Sequence, residues 1–272
     1  MAEAGSLPEA ALAFDAVAER FDERFGPWLS VAAQRRAVRD ELARAFPPGA
    51  RLIEIGGGTG QDALWLVERG RSVLLTDASP AMVRQAAVRL SGWSGARTKV
   101  CAAEDLERLA LDGEASMDGA FSNFAGLNCV GDLRPFARGL ARMLRPGAPA
   151  ILVMFGTCCP GEWLVEALRG RPGAAFRRFA RGEQPARLGG RRFTVRYHRR
   201  AELEGAMAPW FRPAGRRGVG VFVPPSAAEP WISRHPGLLR RLEALDRRLA
   251  APLAVFGDHV LYRFVRIGEA AP

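Results

Sequence analysis

Lysine is almost absent. Lys99 is the only one in a chain whose lysines and arginines together number 39. Nearly every fixed cation is therefore a guanidinium, permanently charged and able to grip an oxyanion with two donors. Histidine is scarce as well: His198, His235 and His259 are the whole set, and no two lie close in the sequence. The four cysteines, Cys101, Cys129, Cys158 and Cys159, form no C-x-x-C pair. No metal-ligand spacing results, and the thiols read as reduced groups of a cytoplasmic protein. No apolar run reaches the roughly 18 residues of a membrane span. Met1 to Leu12 lacks the basic start and apolar core of a secretory leader. A G-x-S-x-G elbow is missing too, which excludes that type of hydrolase.

What is present is a chain of 272 residues, 48% hydrophobic, enough for one large core. Leu52-Ile53-Glu54-Ile55-Gly56-Gly57-Gly58-Thr59-Gly60 reads as a buried strand running into a glycine turn, with a helix following. Such a turn lets a ligand lie against the backbone at a helix N-terminus. The spacing is G-x-G-x-G rather than the G-x-G-x-x-G of a dinucleotide site. Glu54, two residues before the first glycine, would repel a pyrophosphate and suits a cationic ligand. Ser72 to Thr76 predicts the next strand, ending in Asp77, about where a parallel α/β sheet grips a ribose diol. Ser79 and Pro80 then read as N-cap and first residue of a helix.

Strands at 51–55, 72–76, 97–101, 117–122 and 149–155 alternate with helices at 59–69, 80–90, near 105 and 131–144. This order predicts a parallel sheet with helices on both faces and a ligand beyond the carboxyl ends of the strands. Upstream, Leu7, Ala11, Phe14, Ala18, Phe21 and Phe25 recur at helical spacing and predict one helix over 7–25. Ser30 reads as N-cap of a second helix reaching Phe46, where Pro47-Pro48 stops it. Arg35 shares a face with Val31, Val38 and Leu42, either reaching a ligand carboxylate or snorkelling. Downstream, the pattern predicts helices around 161–169, 172–180, 201–208 and 235–250, and strands at 192–197, 210–223 and 258–266.

Four motifs in this order (the 54–60 turn, Asp77, the strand end Ser122-Asn123-Phe124, and Leu144-Arg145-Pro146-Gly147) resemble those of the class I S-adenosylmethionine-dependent methyltransferases. The resemblance covers roughly residues 10–155 and is nearest the small-molecule branch with the quinone and carrier-protein enzymes. It implies a Rossmann-like α/β fold: a seven-stranded, mostly parallel sheet with its last strand antiparallel. It also implies a single domain over 1–272. Residues 1–48 would be a helical lid, 49–155 the cofactor core, 156–209 and 224–257 inserted substrate roofs, and 210–223 and 258–267 the final strands.

The implied cofactor is S-adenosyl-L-methionine. Glu54, Gly56, Gly57, Gly58 and Gly60 would cradle it, Asp77 would take the ribose hydroxyls, and Ala78 and Met82 would flank the adenine. Asn123 and Phe124 would supply the fourth motif, with Phe21 and Arg35 reaching over from the lid. The family often places an Asp after the third strand, but Ala102 stands there, leaving Ala103 and Glu104 for the adenine.

The function implied is methyl transfer to a small or carrier-linked acidic metabolite. Between Gly156 and Gly220 stand 14 Arg against 5 Glu and no Asp, a basic stretch that calls for an acidic partner. Arg196, Arg199 and Arg200 are the expected inward-pointing members, with His198 among them as an anion contact. Cys158, Cys159 and Glu162 are expected to line the pocket. His259, beside Asp258 at the mouth of the last strand, is the candidate general base. An RNA or DNA methyltransferase is the first alternative, but Ser122-Asn123-Phe124-Ala125 is not the Pro-Pro-aromatic loop of amino-methylating enzymes. No Pro-Cys dipeptide serves cytosine chemistry, and the basic stretch lacks interleaved aromatics. A non-catalytic binder of the same cofactor, or a nicotinamide oxidoreductase, is the second alternative. The glycine spacing and Glu54 oppose the nicotinamide reading.

Overall fold

The computed structural model describes residues 7–268; the outermost residues of the expected lid and of the C-terminus, 1–6 and 269–272, lie outside it. Among the described residues nine strands form: β1 Arg51–Ile55, β2 Ser72–Asp77, β3 Ala96–Val100, β4 Gly119–Ser122, β5 Pro149–Phe155, β6 Glu183–Leu188, β7 Arg191–Arg196, β8 Phe211–Val219 and β9 His259–Arg266. Seven of them make one sheet in the order β3-β2-β1-β4-β5-β9-β8. The first five are mutually parallel, and β9 runs antiparallel between β5 and β8. The Rossmann-like sheet expected from the motif order is thus present, and its elements over 51–155 fall close to the expected bounds.

The central strands β1, β2, β4 and β5 are buried on both faces and largely apolar at successive positions, whereas the edge strands β3 and β8 are polar and more exposed. Ile53, Ile55 and Leu74 point to one face, with Phe136, Leu140, Phe211 and Phe264. Leu52, Val73 and Leu75 point to the other, with Leu42, Phe46, Leu66 and Leu261. Around the sheet stand α1 Glu9–Asp15, α2 Phe21–Phe25, α3 Leu29–Ala45, α4 Gln61–Val67, α5 Pro80–Leu90, α6 Leu106–Leu111 and α7 Leu133–Met143. Then follow α8 Pro160–Leu168, α9 Pro172–Ala175, α10 Arg200–Met207 and α11 Pro236–Leu249. Among the described residues no helix is long and apolar enough to cross a membrane.

Three expectations need correction. The helix over 7–25 is broken into α1, a 3-10 turn at Ala18–Arg20, and α2. Two carboxylates bind distant donors across the break. Asp15 accepts from the Ser79 hydroxyl and, at 2.9 Å, from Ala81 N–H, while Asp22 accepts from Thr59 and Gln61 at 2.9 and 2.7 Å. Second, Ser30 is no N-cap: Trp28 holds that position, and Ser30 donates its hydroxyl and its N–H to Glu229, at 2.6 and 2.9 Å. The cap is supplied from 199 residues away, which no local pattern records. Third, the strand at β7 has a partner, β6, joined to it through Gly189-Gly190 with φ of +56° and +77°. A two-residue glycine loop with positive φ is a hairpin signal.

The hairpin packs on α1, where Phe14 and Phe193 lie 6.1 Å apart. Of the residues from 224 to 257, only Ser226 reaches the central cavity. Ala228, Ile232 and Leu239 instead pack with Ala33 of α3.

Strand β9 completes the β5 edge with buried Val260, Leu261 and Phe264. A fragment ending at residue 155 should therefore lack a cooperative urea transition and should not persist in limited proteolysis of the whole chain.

Candidate functional site

A cavity of about 490 Å³ opens beyond the carboxyl ends of β1, β2, β4 and β5. The sheet puts these ends side by side, so residues far apart in sequence converge. Phe21, Arg35, Glu54, Gly56, Gly57, Gly58, Asp77, Ala78, Met82, Ala103, Glu104, Asn123, Phe124 and His259 all line it. Gly60 does not; a Cβ there would lie 3.1 Å from that of Ala86, so this glycine serves the close packing of α5.

The glycine turn is fastened from below. Gly58 has φ +56°, in the left-handed region where side chains are strained, and its N–H donates to Asp77 Oδ2 at 2.9 Å. Asp77 Oδ1 accepts from Ser79 N–H at 2.8 Å. Burial pushes the Asp77 carboxyl above its ordinary value, against the two N–H donors. Glu54 is buried, and its Oε2 has no hydrogen-bond partner. Its pKa lies well above the ordinary range, first because of burial and then because of Asp62, with Arg35 opposing. An orphaned carboxylate oxygen at a cavity wall is a place for a cation.

Asp62 itself was not a sequence candidate. It accepts from Arg35 Nη1 and Arg39 Nε, each at 2.7 Å, and from Asn123 Nδ2 at 2.8 Å. Its signal was an acid in the first turn of the helix after the glycines, facing the positive helix end. Arg35, left open between reaching a ligand and snorkelling, pairs with Asp62 and lies 4.6 Å over the Phe124 ring. Phe124, at the cavity wall, and its neighbour Ala125 hold φ of +51° and +60°, uncommon for residues with side chains.

At the roof end, His259 stacks on Phe155 with ring centroids 5.0 Å apart. Its Nδ1 lies 3.4 Å from Asp258 Oδ2. Asp258 also accepts from Gln34 at 3.0 Å and from Arg178 Nη2 at 2.7 Å. Burial pushes the Asp258 carboxyl up, but His259 and Arg178 outweigh it and hold the group below the ordinary carboxylate range. Cys159, Glu162 and Asp258 come within 4.8 Å of one another, yet the buried Arg178 guanidinium pairs with both carboxylates and supplies the cation there.

The roof assignments are corrected by this geometry. Arg196 pairs with Glu202 at 2.8 Å and Arg200 with Glu204 at 2.7 Å, and neither they nor Arg199 line the cavity. The arginines that line it are Arg35, Arg177, Arg178 and Arg187. His198 is no anion contact: it is buried, its Nε2 lies 2.8 Å from the Val130 carbonyl, and burial lowers its pKa. Cys158, Cys159 and Glu162 do not line the cavity, whereas Cys101 and Cys129 do. Burial pushes those two thiols up to about 11 and about 12, so they stay neutral near pH 7.

Residues 52–147 match the family model of a methyltransferase domain. The tRNA 5-carboxymethoxyuridine methyltransferase of Escherichia coli K12 is 32% identical over 149 residues, covering 52% of this chain and 56% of that protein. The chain therefore spans little more than half the length of that relative. The malonyl-[acyl-carrier protein] O-methyltransferase of Geobacter sulfurreducens is 30% identical over 233 residues, 82% of this chain and 77% of that protein. Among solved structures, the Burkholderia thailandensis 1,6-didemethyltoxoflavin-N1-methyltransferase with bound 1,6-didemethyltoxoflavin and S-adenosylhomocysteine superposes with a TM-score of 0.56. It is 19% identical, with 95% of this chain and 88% of that one covered, which speaks to the fold alone. Because the Geobacter protein is matched over 82% of this chain at 30% identity, the chain belongs to the class I S-adenosylmethionine-dependent methyltransferases.

Proposed function

We propose that the protein methylates a small or carrier-linked acidic metabolite. The observation that carries this is the polarity of the cavity. Glu54, Asp77 and Glu104 gather at the glycine-turn end, where Arg35 and Arg39 are already taken up by Asp62, and Glu54 can give up its proton to meet a cation; Arg177, Arg178 and Arg187 stand at the roof end. Glu162 and Asp258 are already engaged by Arg178, which leaves Arg187 and part of Arg177 free for a ligand. A cationic cofactor and an anionic acceptor each meet opposite charge, in an enclosure that strengthens both attractions.

The residues fit the cofactor. S-adenosylmethionine supplies a methyl group on a sulfonium, and this chain supplies position and electrostatics. In our reading Glu54 and the turn Gly56 to Gly58 take its cationic portion, and Asp77 takes the ribose hydroxyls. Ala78, Met82, Ala103 and Glu104 border the adenine, while Asn123, Phe124, Phe21 and Arg35 close the remaining sides. His259 is the general base: with Nδ1 turned to Asp258, its Nε2 is left to take the acceptor's proton. We also place 1–272 as one cytoplasmic domain, with 1–48 as lid, 49–155 as core, 156–209 as roof, 224–257 largely behind the lid, and 210–223 and 258–267 closing the sheet. A tRNA substrate is the second reading, favoured by the name of the Escherichia coli relative.

Replacing Asp77 with Ala should weaken cofactor binding by about 1.5–3 kcal/mol in calorimetry, the range for a hydrogen bond to a charged group. Unchanged affinity would remove Asp77 from the site.

Glu54→Gln should separate stability from binding. The folded pKa of Glu54 lies above the unfolded one, so the folded chain holds a proton the unfolded chain releases. Its contribution is complete below about pH 4, near the unfolded pKa, and is lost as pH rises toward the folded value. The Gln variant, free of cofactor, should thus gain in melting temperature over wild type as pH increases, yet bind the cofactor more weakly at pH 8. A variant inferior on both counts at every pH would show that Glu54 is an ordinary core residue.

For the acceptor, labelled methyl transfer onto a panel of small acids, acyl-carrier thioesters and tRNA should label an acid. Arg177→Gln and Arg187→Gln should raise its KM about tenfold or more while cofactor affinity stays constant, and Arg196→Gln and Arg200→Gln should change neither. Labelling of neutral acceptors only, or of tRNA only, would exclude the first reading.

A further inference from the structure

Outside the cavity, the hairpin of α8 and α9 presents an apolar surface that the rest of the described fold leaves open. Leu164 and Leu168, one turn apart on α8, are 63% and 80% exposed. Phe176 and Phe179, which follow α9, are 57% and 46% exposed. Trp163 joins the two halves, its ring 5.8 and 5.7 Å from those of Phe176 and Phe179, which stack 6.3 Å apart. Val165, on the opposite side of α8, packs inward instead. So many large apolar groups standing clear at one place mark an interaction surface.

The charge around them has one sign. Between 160 and 182 the acids are Glu162 and Glu166, and both are buried. Arg177 and Arg178 neutralise the first, Arg169 and Arg171 the second. The charges that reach solvent there are the arginines 169, 171, 177 and 181. A second copy of the chain would set guanidinium against guanidinium. Nucleic acid would answer the charge and leave the leucines in water.

We propose that this surface seats the protein on an anionic lipid bilayer, the apolar side chains entering the headgroup layer and the arginines pairing with lipid phosphates. Protruding Leu and Phe flanked by cations are what an interfacial surface requires. A side chain as exposed as Leu168 needs a partner that deforms around it, which a bilayer does without a matching groove. Arg177 belongs both to this surface and to the cavity wall. Seating would therefore hold the cavity mouth at the lipid surface, within reach of an amphiphilic acid. The proposal does not rest on the acceptor reading, since lipid binding is measured without cofactor or acceptor.

The test is sedimentation of the full chain with vesicles of phosphatidylcholine alone and with phosphatidylglycerol added. The native protein should partition to the anionic vesicles, and rising salt should weaken it. Leu168→Ser and Phe176→Ser, with native circular dichroism, should each lose roughly tenfold in partition, a loss of the size expected for withdrawing one large apolar side chain. Arg181→Gln should weaken binding and flatten the salt dependence. Failure to sediment with anionic vesicles would overturn the proposal, as would equal binding to neutral ones or undiminished binding of the two apolar variants. Capture of an acidic carrier protein by this surface in place of vesicles would overturn it too.

Discussion

One buried carboxylate holds the functional end of the molecule together. Asp62, in the first turn of α4, takes two arginines from α3 and the amide of Asn123 from the end of β4. Helix α3, the helix after the glycine turn and the central strand β4 are thereby joined at a single group. A buried charge with this many partners is costly to break and cannot be met by one residue alone. Arg35 has a second duty, since its guanidinium also lies over Phe124. The same contact thus sets one wall of the cavity. Asp22 repeats the principle on the other side of the turn, fastening the N-terminal helices to Thr59, Gln61 and Arg89.

At the opposite end of the cavity the roles of acid and base are exchanged. There the organising group is a cation, Arg178, buried between Glu162 and Asp258 and bonded to the carbonyls of Gly156 and Asp258. It joins the turn after α9 to the place where β5 ends and β9 begins. Asp258, held ionised by this company, faces His259. Glu54 Oε2 at one end of the cavity is buried without a hydrogen-bond partner, while Arg187 lines the other end and is exposed to solvent.

Roof arginines illustrate how composition misleads. A stretch with a large surplus of guanidinium invites the idea that its densest run, Arg196 to Arg200, points at the ligand. In the fold that run spans the end of β7 and the start of α10, where Glu202 and Glu204 lie within helical reach and take two of its charges. The arginines at the cavity come instead from the less crowded positions 177, 178 and 187, set there by the turn after α9 and by the β6–β7 hairpin. Charge density along a chain says nothing about which side of an element faces inward.

What the sequence determined by itself was the local and periodic part. Apolar runs ending in glycine or acid, alternating with amphipathic helices, leave a parallel sheet little choice, because strands buried on both faces need helices on both sides. Glu54, the glycines, Asp77, Met82 and Asn123 then share one rim, because parallel strands end together. His259 joins them because β9 runs the other way and begins where the others finish. Tertiary structure alone decided the long-range pairings: Asp62 with Arg35 and Arg39, Ser30 with Glu229, Asp15 with the start of α5, Arg178 with Asp258. These bonds connect residues separated by tens to hundreds of positions, and each forms only after the sheet has brought its partners within 3 Å or so. No periodicity encodes such a meeting, so the breaks in the lid, the caps on its helices and the choice of inward arginines became visible only in three dimensions.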